Sequence, residues 1–550
     1  MLNSPPRTGR RPRPKAFGHE RLPDLRPFHS SSRGPRRAAS PRRLLEKLSP
    51  VSGARLGDFP VADEAEVRAA VARARAAFPD WRDTPLAGRI EVLSRVKQVL
   101  AEQGEHYARK ISEDTGKPTF EATMMEIGAV PLLLDYMLRR APVLRRQKVS
   151  TPIVLPGKSG FIEHFPRGVI GIISPWNFPF QLAVVPVLSA LIGGNAVVLK
   201  QSEITPIVAG VVEDLFRRIG LPAGVVEIVH GDGSTGAALT RAEVDMLFFT
   251  GSVATGRKVM AAAAQRPIPV ELELGGKDAM IVCADANLER AAEAAVWGGL
   301  VNCGQACVSV ERIFVVDAIH DRFVEKVREK VSRVTVGGPD EQADMGPLTS
   351  SAQLGIVERH VNSAVAAGAK VVFGGEKLQR PGQFFAPTLL TGVTPEMEIF
   401  REETFGPVLP VIRVRDEDEA VRLANASEFG LAGSVWTQDI DKGLRLASRM
   451  ECGQVSVNDV IQSVGHPALP FGGVRSSGIG RYHGDAGILA FMNTRGIMVD
   501  RGFLNSEPLW FPYAGKVSHG FELLKGITTR SLGSLVKGFL GLRKKMTRPK

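Results

Sequence analysis

The chain has 550 residues but only four cysteines, four tyrosines and five tryptophans. Cys283, Cys303, Cys307 and Cys452 are too few for a disulfide framework at this length, so a reducing, cytoplasmic setting is expected. There is no Cys-x-x-Cys pair and no neighbouring histidine pair, so no metal site is expected. No apolar run has the roughly 18 residues that a spanning helix needs. The longest, Leu182 to Ile192, is interrupted by Pro186 and Ser189. No repeat with a period of about 20 to 50 residues is visible, which argues against a solenoid or propeller.

Acidic charge looks scarce until it is located. The net charge is +12 and the pI near 9.6. Residues 1–45 carry 12 Lys/Arg against Glu20 and Asp24, and residues 515–550 carry nine against Glu522. Subtracting both ends leaves −6 for residues 46–514, so the body offers no basic face for nucleic acid. Residues 1–45, rich in Arg, Pro and Ser, are expected to be a disordered basic extension. Residues 515–550 form a basic amphipathic tail: Leu532, Leu535, Val536, Phe539, Leu540 and Leu542 share a helical face, and Arg543-Lys544-Lys545 follows. Such a helix can lie on an anionic membrane surface, giving a peripheral contact; packing on the body and disorder are the alternatives. Gly533, Gly538 and Gly541 should weaken that helix by roughly 1 kcal/mol each.

Between the ends the periodicity alternates. Val67, Val71, Ala74, Ala77 and Trp81 mark a helix from Ala62, and further helices are expected over 87–110 and 120–138. Residues 148–166 read as an extended hairpin around Pro156-Gly157-Lys158. Buried strands follow at 168–174, 195–200, 225–229 and 246–250, with helices at 205–218 and from Gly251. The rhythm resumes with strands at 279–282, 313–316 and 411–414 and a helix over 288–301. It predicts an α/β fold: a Rossmann-type parallel-sheet domain, then a second α/β domain.

Three motifs carry chemistry. Glu273 opens Glu-Leu-Gly-Gly-Lys, Cys307 closes Gly-Gln-Ala-Cys, and Asn177 is centred in Pro-Trp-Asn-Phe-Pro. They supply a carboxylate base, a thiol nucleophile and an amide donor, the parts needed to oxidise an aldehyde through a covalent thioester. Cys303, without the Gly-Gln pair, is expected to pack. Glu271 shares the alternation face of Glu273 and is the residue most easily confused with it.

In the order and spacing of these motifs, roughly residues 46–500 resemble the aldehyde dehydrogenase superfamily. The resemblance implies NAD as cofactor, with NADP as the alternative, and an aldehyde as substrate. Lys200 and Glu203 would hold the adenosine ribose, and Ser252 the pyrophosphate in the Gly251-to-Gly256 turn. Glu403 would hold the nicotinamide ribose and Phe405 would pack beside its ring. Trp176 and Leu274 complete the implied cofactor site. Because members that transfer the acyl group to coenzyme A or phosphate generally lack the glutamate, Glu273 implies release of a free acid. The family layout implies an NAD-binding domain at 46–147 and 167–273, a catalytic domain at 274–470, and a small β oligomerisation segment at 148–166 and 485–500. A homodimer or homotetramer is therefore expected.

Pro470 to Gly478 carries a further family signature, and Tyr482-His483-Gly484 looks most like the members acting on fatty and aromatic aldehydes. Val457 to Val460 and His466-Pro467 would line the substrate funnel. A succinate-semialdehyde-type enzyme is the alternative, and would need a cation at the funnel mouth such as Arg475 or Arg312. A non-catalytic binding protein on the same scaffold is the alternative from another class.

Overall fold

The computed structural model describes residues 43–155, 157–502 and 505–544. The expected basic extension, apart from residues 43–45, and the last residues of the tail lie outside the described residues, as does Pro156 of the expected hairpin.

Two large sheets carry the body. In the first, the strands run Gly478–Ile479, Val270–Glu273, Met246–Thr250, Val169–Ile173, Ala196–Lys200 and Val226–Val229. All pair in parallel except the short Gly478–Ile479 edge. The second is ordered Lys370–Phe373, Thr388–Thr391, Val408–Val414, Val310–Val316, Asp278–Val282, Ala432–Trp436 and Gln454–Val457, with only its Lys370–Phe373 edge antiparallel. The central strands of both are continuous apolar runs because helices cover both faces of a parallel sheet. Ile170, Ile172, Val197 and Leu199 are fully buried in one, and Ile281, Phe314 and Val411 in the other. Burying each such side chain stabilises the fold by about 1.5–3 kcal/mol.

The apolar run that falls short of a membrane span is the Gln181–Ile192 helix, buried on every side from Leu182 onward. Trp81 donates its indole N–H to the Leu191 carbonyl at 3.0 Å, tying the first long helix to it. That first helix begins at Glu64 rather than Ala62, because Asp63 and Glu66 form a reciprocal capping box. A π-helical turn, Ala122–Ile127, interrupts the helix expected over 120–138 and carries Glu126.

The third sheet matches the expected hairpin, with Gln147–Val149 and Lys158–Pro166 antiparallel. Met492–Asp500 adds a third strand along the whole length of Lys158–Pro166. Residues 485–489 of the segment expected beside it are helical instead, within Gly484–Leu489. Two features go beyond the sequence reading: a hairpin of Leu44–Leu48 with Arg55–Pro60, and a second tail helix, Val517–Thr529, ahead of Leu532–Lys544.

The tail glycines behave differently from expectation. Side chains at Gly526, Gly538 or Gly541 would overlap Leu535, Leu523 or His519 of the facing helix. These glycines let the two helices cross closely. The single apolar face expected over 532–542 also divides: Leu542 is buried in the crossing, whereas Leu532, Val536 and Leu540 are exposed.

Candidate active site

The Leu288–Leu300 helix, capped by Asn287, runs straight into the turn that carries Cys307. There the backbone enters the left-handed region three times, with φ of 52° at Asn302, 58° at Cys303 and 70° at Gly304. For Asn302 and Cys303 this conformation costs on the order of 1–3 kcal/mol each, so the surroundings must hold it. Glu121 Oε1 accepts from Asn302 N–H at 2.9 Å, and Asn302 Nδ2 donates to the carbonyls of Asn177 at 3.0 Å and Gln305 at 2.9 Å. Gln305 Nε2 donates to the Asn302 carbonyl at 2.8 Å, while its Oε1 accepts from Thr349 N–H at 2.9 Å. Gly304 is required twice over, since a Cβ would also overlap the Gly406 carbonyl. The Gly-Gln-Ala-Cys motif is thus a braced turn. Cys303 is buried packing, as expected, and Cys307 is partly exposed.

Asn177 lies against this turn, its Nδ2 donating to the Gln305 carbonyl at 3.1 Å. A buried ion pair fixes its loop. Lys117 Nζ donates to Glu126 Oε1 and to the Asn177 carbonyl, both at 2.7 Å. Glu126 Oε2 accepts from the N–H groups of Phe180 and Gln181 at 2.9 and 3.1 Å, at the start of the buried helix.

Glu273 ends the Val270–Glu273 strand and is held between the Gly251 N–H, which donates to its carbonyl at 3.0 Å, and the paired Gly478. Its side chain is buried, and neither carboxyl oxygen has a hydrogen-bond partner among the described residues. Burial, and then the neighbouring Glu271, push its pKa well above the ordinary carboxylate value. Burial raises Glu271 as well, to about 7. The Cys307 thiol is pushed up by burial and then by the negative potential of Asp278, Glu403 and Glu273. Thiol and carboxyl therefore feel one another, and both favour their neutral forms.

Glu403 closes the site from the second sheet. Its Oε1 accepts from Gly276 N–H at 2.9 Å, and a side chain at Gly275 would overlap its carboxylate. Burial and then Glu311 raise it to about 8. Phe405 has φ of 52° and meets Trp176 edge-on, with ring centroids 5.4 Å apart. Glu311 accepts from the Thr404 and Phe405 N–H groups, both at 2.8 Å, and pairs with the fully buried Lys277.

The remaining predicted cofactor residues lie at the carboxyl ends of the first sheet. The chain steps from Val169–Ile173 to Ala196–Lys200 on one side and returns with Met246–Thr250 on the other, the crevice where dinucleotides bind. Lys200 is buried and donates to Glu203 Oε2 at 2.7 Å, so this is not a pair of loose surface charges. Ser252 caps the Val253–Ala264 helix, accepting from Thr255 N–H at 3.3 Å, which leaves a helix N-terminus suited to phosphate. Gly256 allows Leu274 to approach to 2.6 Å from where a Cβ would stand. A groove beside Glu203 is lined by Pro206, Val229, Gly231 and, from the unforeseen hairpin, Leu45 and Phe59. These residues fit a nucleotide.

Sequence reasoning missed Lys117, Glu121, Glu126, Glu311 and Gln353, whose Nε2 donates to the Thr404 and Phe405 carbonyls at 2.9 and 3.1 Å, and gave Lys277 no role of its own. The one available signal was charge inside an apolar stretch, as at Glu126. Arg312 is displaced from its suggested place: it is buried and donates to the carbonyls of Lys277, Leu423 and Ala424. Arg475 is engaged by the carbonyls of Asn425 and Ser427 and by Glu451.

Known proteins resemble the chain over most of its length. A sequence profile described as the aldehyde dehydrogenase family matches residues 36–497. A 4,4'-diapolycopene aldehyde oxidase of Methylomonas is 45% identical over 484 residues, covering 88% of this chain and 90% of its own length. A protein of Mycobacterium tuberculosis, provisionally named an NADP(+) succinate-semialdehyde dehydrogenase, is 39% identical over 86% of this chain and 92% of its own. The crystal structure of a Mycobacterium tuberculosis aldehyde dehydrogenase complexed with NAD+ superposes with a TM-score of 0.80 at 35% identity, covering 84% and 95% of the two chains. The chain belongs to the aldehyde dehydrogenase family, oxidoreductases that act on aldehydes.

Proposed function

We propose that the chain oxidises an apolar aldehyde, medium- or long-chain aliphatic or aromatic, to the carboxylic acid, with NAD as the hydride acceptor. The observation that carries this is the meeting of three distant segments: Asn177 Nδ2 bonds the Gln305 carbonyl of the Cys307 turn, and Gly276 of the Glu273 motif lies against the Cys307 carbonyl. The partly exposed Cys307 thiol gives its proton to solvent, and the sulfur attacks the aldehyde carbon. Asn177 Nδ2 and the Cys307 backbone N–H stabilise the oxyanion of the thiohemiacetal. The nicotinamide end, which Trp176, Leu274, Glu403 and Phe405 would hold, would when bound supply the hydride acceptor for that carbon. Glu273, once its own proton has left, then accepts a proton from the water that cleaves the thioester; burial and then Glu271 raise its affinity for protons, which strengthens it as a base.

Lys200 and Glu203 would hold the adenosine ribose, Gly251, Ser252 and Gly256 the pyrophosphate, and Trp176, Leu274, Glu403 and Phe405 the nicotinamide end. Glu203 neutralises Lys200 and would repel a 2′-phosphate, which favours NAD over NADP. Support for an apolar substrate comes from the 45% identical relative, named for a 4,4'-diapolycopene aldehyde. The two arginines suggested for a semialdehyde carboxylate are both spent on structural contacts. Residues 46–147 with 167–273 and residues 274–470 would be the cofactor and catalytic domains, and the three-stranded sheet, with Met498 and Val499 exposed, the oligomer contact.

The test is NADH formation with succinic semialdehyde, octanal, decanal and benzaldehyde by wild type and Cys307→Ala, with mass from light scattering. Turnover lost in the variant and a kcat/KM at least about tenfold higher for decanal than for succinic semialdehyde are expected. The reverse preference would overturn the substrate class.

A further inference from the structure

The tail beyond Lys516 is two 13-residue helices, Val517–Thr529 and Leu532–Lys544, packed on each other and extensively on no other described element. Their inner faces meet at Gly526, Gly538 and Gly541. Their outer faces are apolar and bare. On the first, Phe521 is 65% exposed, with Leu524 beside it; on the second, Val536 and Leu540 are exposed at helical spacing. The loop before them adds Trp510 at 61% and Phe511 at 73%. Eleven of the 28 exposed large hydrophobic side chains among the described residues fall between Leu509 and Leu540. So dense an apolar surface marks an interaction site.

Charge identifies what covers it. Lys525, Arg530, Arg543 and Lys544 are exposed and form no ion pair among the described residues. Lys545, Arg548 and Lys550 follow in the sequence, whereas residues 46–514 carry net −6. A second copy seated symmetrically on this face would set one basic fringe against another. An anionic lipid surface would complement both the apolar face and the fringe. Each helix is about 20 Å long and no described helix is long and apolar enough to cross a membrane, so the hairpin would lie along a bilayer whose apolar core is about 30 Å thick. Trp510 and Tyr513 are residues that favour the headgroup layer.

We propose that residues 509–544 form a monotopic docking hairpin that seats the full-length enzyme on anionic phospholipid bilayers.

The test is co-sedimentation of the full chain with phosphatidylcholine vesicles, with and without about one third phosphatidylglycerol, at low salt and at about 0.5 M salt. Binding to the anionic vesicles should exceed that to neutral ones at least about tenfold and fall with salt. The exposed-face triple variant Phe521→Ser, Leu524→Ser, Val536→Ser should lose at least about tenfold in binding while retaining wild-type NADH formation with a short, water-soluble aldehyde. Independently of that variant, Trp510 emission should shift to the blue on anionic vesicles, by a component missing in Trp510→Phe. Equal sedimentation of wild type and triple variant, or an unshifted Trp510, would overturn the proposal. So would an apolar face that holds copies together instead, seen as a lower mass for the triple variant by light scattering with no vesicle binding by either protein.

Discussion

At the scale of single residues, the site rests on a conflict between burial and charge. Glu273 has no hydrogen-bond partner for either carboxyl oxygen, so burial keeps it protonated at rest. Glu273→Gln preserves that neutral shape and removes the ability to take a proton from water. Expected is one rapid equivalent of NADH followed by turnover slowed about 10²- to 10⁴-fold, with the acyl adduct on Cys307 visible by intact mass. Wild-type turnover without that adduct would assign the base elsewhere. Gly304 makes a second prediction. Gly304→Ala must hold φ of 70° and clear the Gly406 carbonyl, so the braced turn should reopen. A loss of on the order of 2–4 kcal/mol in denaturant unfolding is expected, with at least about 10²-fold lower kcat/KM. Which residues were legible follows from the same chemistry. Cys307, Glu273 and Asn177 announce themselves because glycine and proline punctuate the backbone around them. Glu121 and Glu311 do not, because their partners, Asn302 and the Thr404–Phe405 turn, are remote in sequence. Arg312 misled for the opposite reason: its charge suggested a substrate, and only the fold shows three backbone carbonyls consuming it.

At the scale of elements, the informative piece is the π-turn Ala122–Ile127, which interrupts an otherwise ordinary helix and carries Glu126 to Lys117. Both groups are buried; Lys117 is bonded to Glu126 and to the Asn177 carbonyl, and Glu126 also to the N–H groups that start the buried helix. Removing one partner strands the other charge, so Glu126→Leu should cost about 3–5 kcal/mol in chemical denaturation. The double variant Lys117→Met, Glu126→Leu should recover much of that stability but not the rate, since Asn177 would lose its anchor. A double variant with full activity would show that the pair serves the fold alone. The buried parallel strands were legible as apolar runs with glycine ends, and the helices from their period. The Leu44–Pro60 hairpin was not, because its residues are half-exposed and lack strict alternation. The tail glycines were misjudged because propensity describes an isolated helix, whereas a helix pair turns the missing side chains into a close crossing.

For the whole molecule, the surplus of buried carboxyls sets how stability follows pH. Burial raises Glu121 and Glu271 to about 7 and, with Glu311, Glu403 to about 8; burial and then Glu271 also push Glu273 well above the ordinary carboxylate value. A carboxyl raised in the fold binds more protons there than in the unfolded chain, so its contribution is complete at low pH and disappears as pH rises through the folded value. Burial lowers His483 to about 4 and also lowers His360, which acts the other way, but only below the ordinary histidine range. Between pH 4.5 and 6.5, roughly, the two classes oppose each other. Above that the carboxyls act alone, and stability should decline by on the order of 2 kcal/mol per pH unit up to about pH 8. Thermal melts of wild type and Glu121→Gln across this range check the sign: the wild-type midpoint should drop with pH, and the variant, lacking one titrating group, should drop less. A wild-type midpoint that rises would refute this account of the buried carboxyls. Deprotonation with rising pH also readies Glu273 for its work on the thioester, so NADH turnover should climb with pH while stability falls.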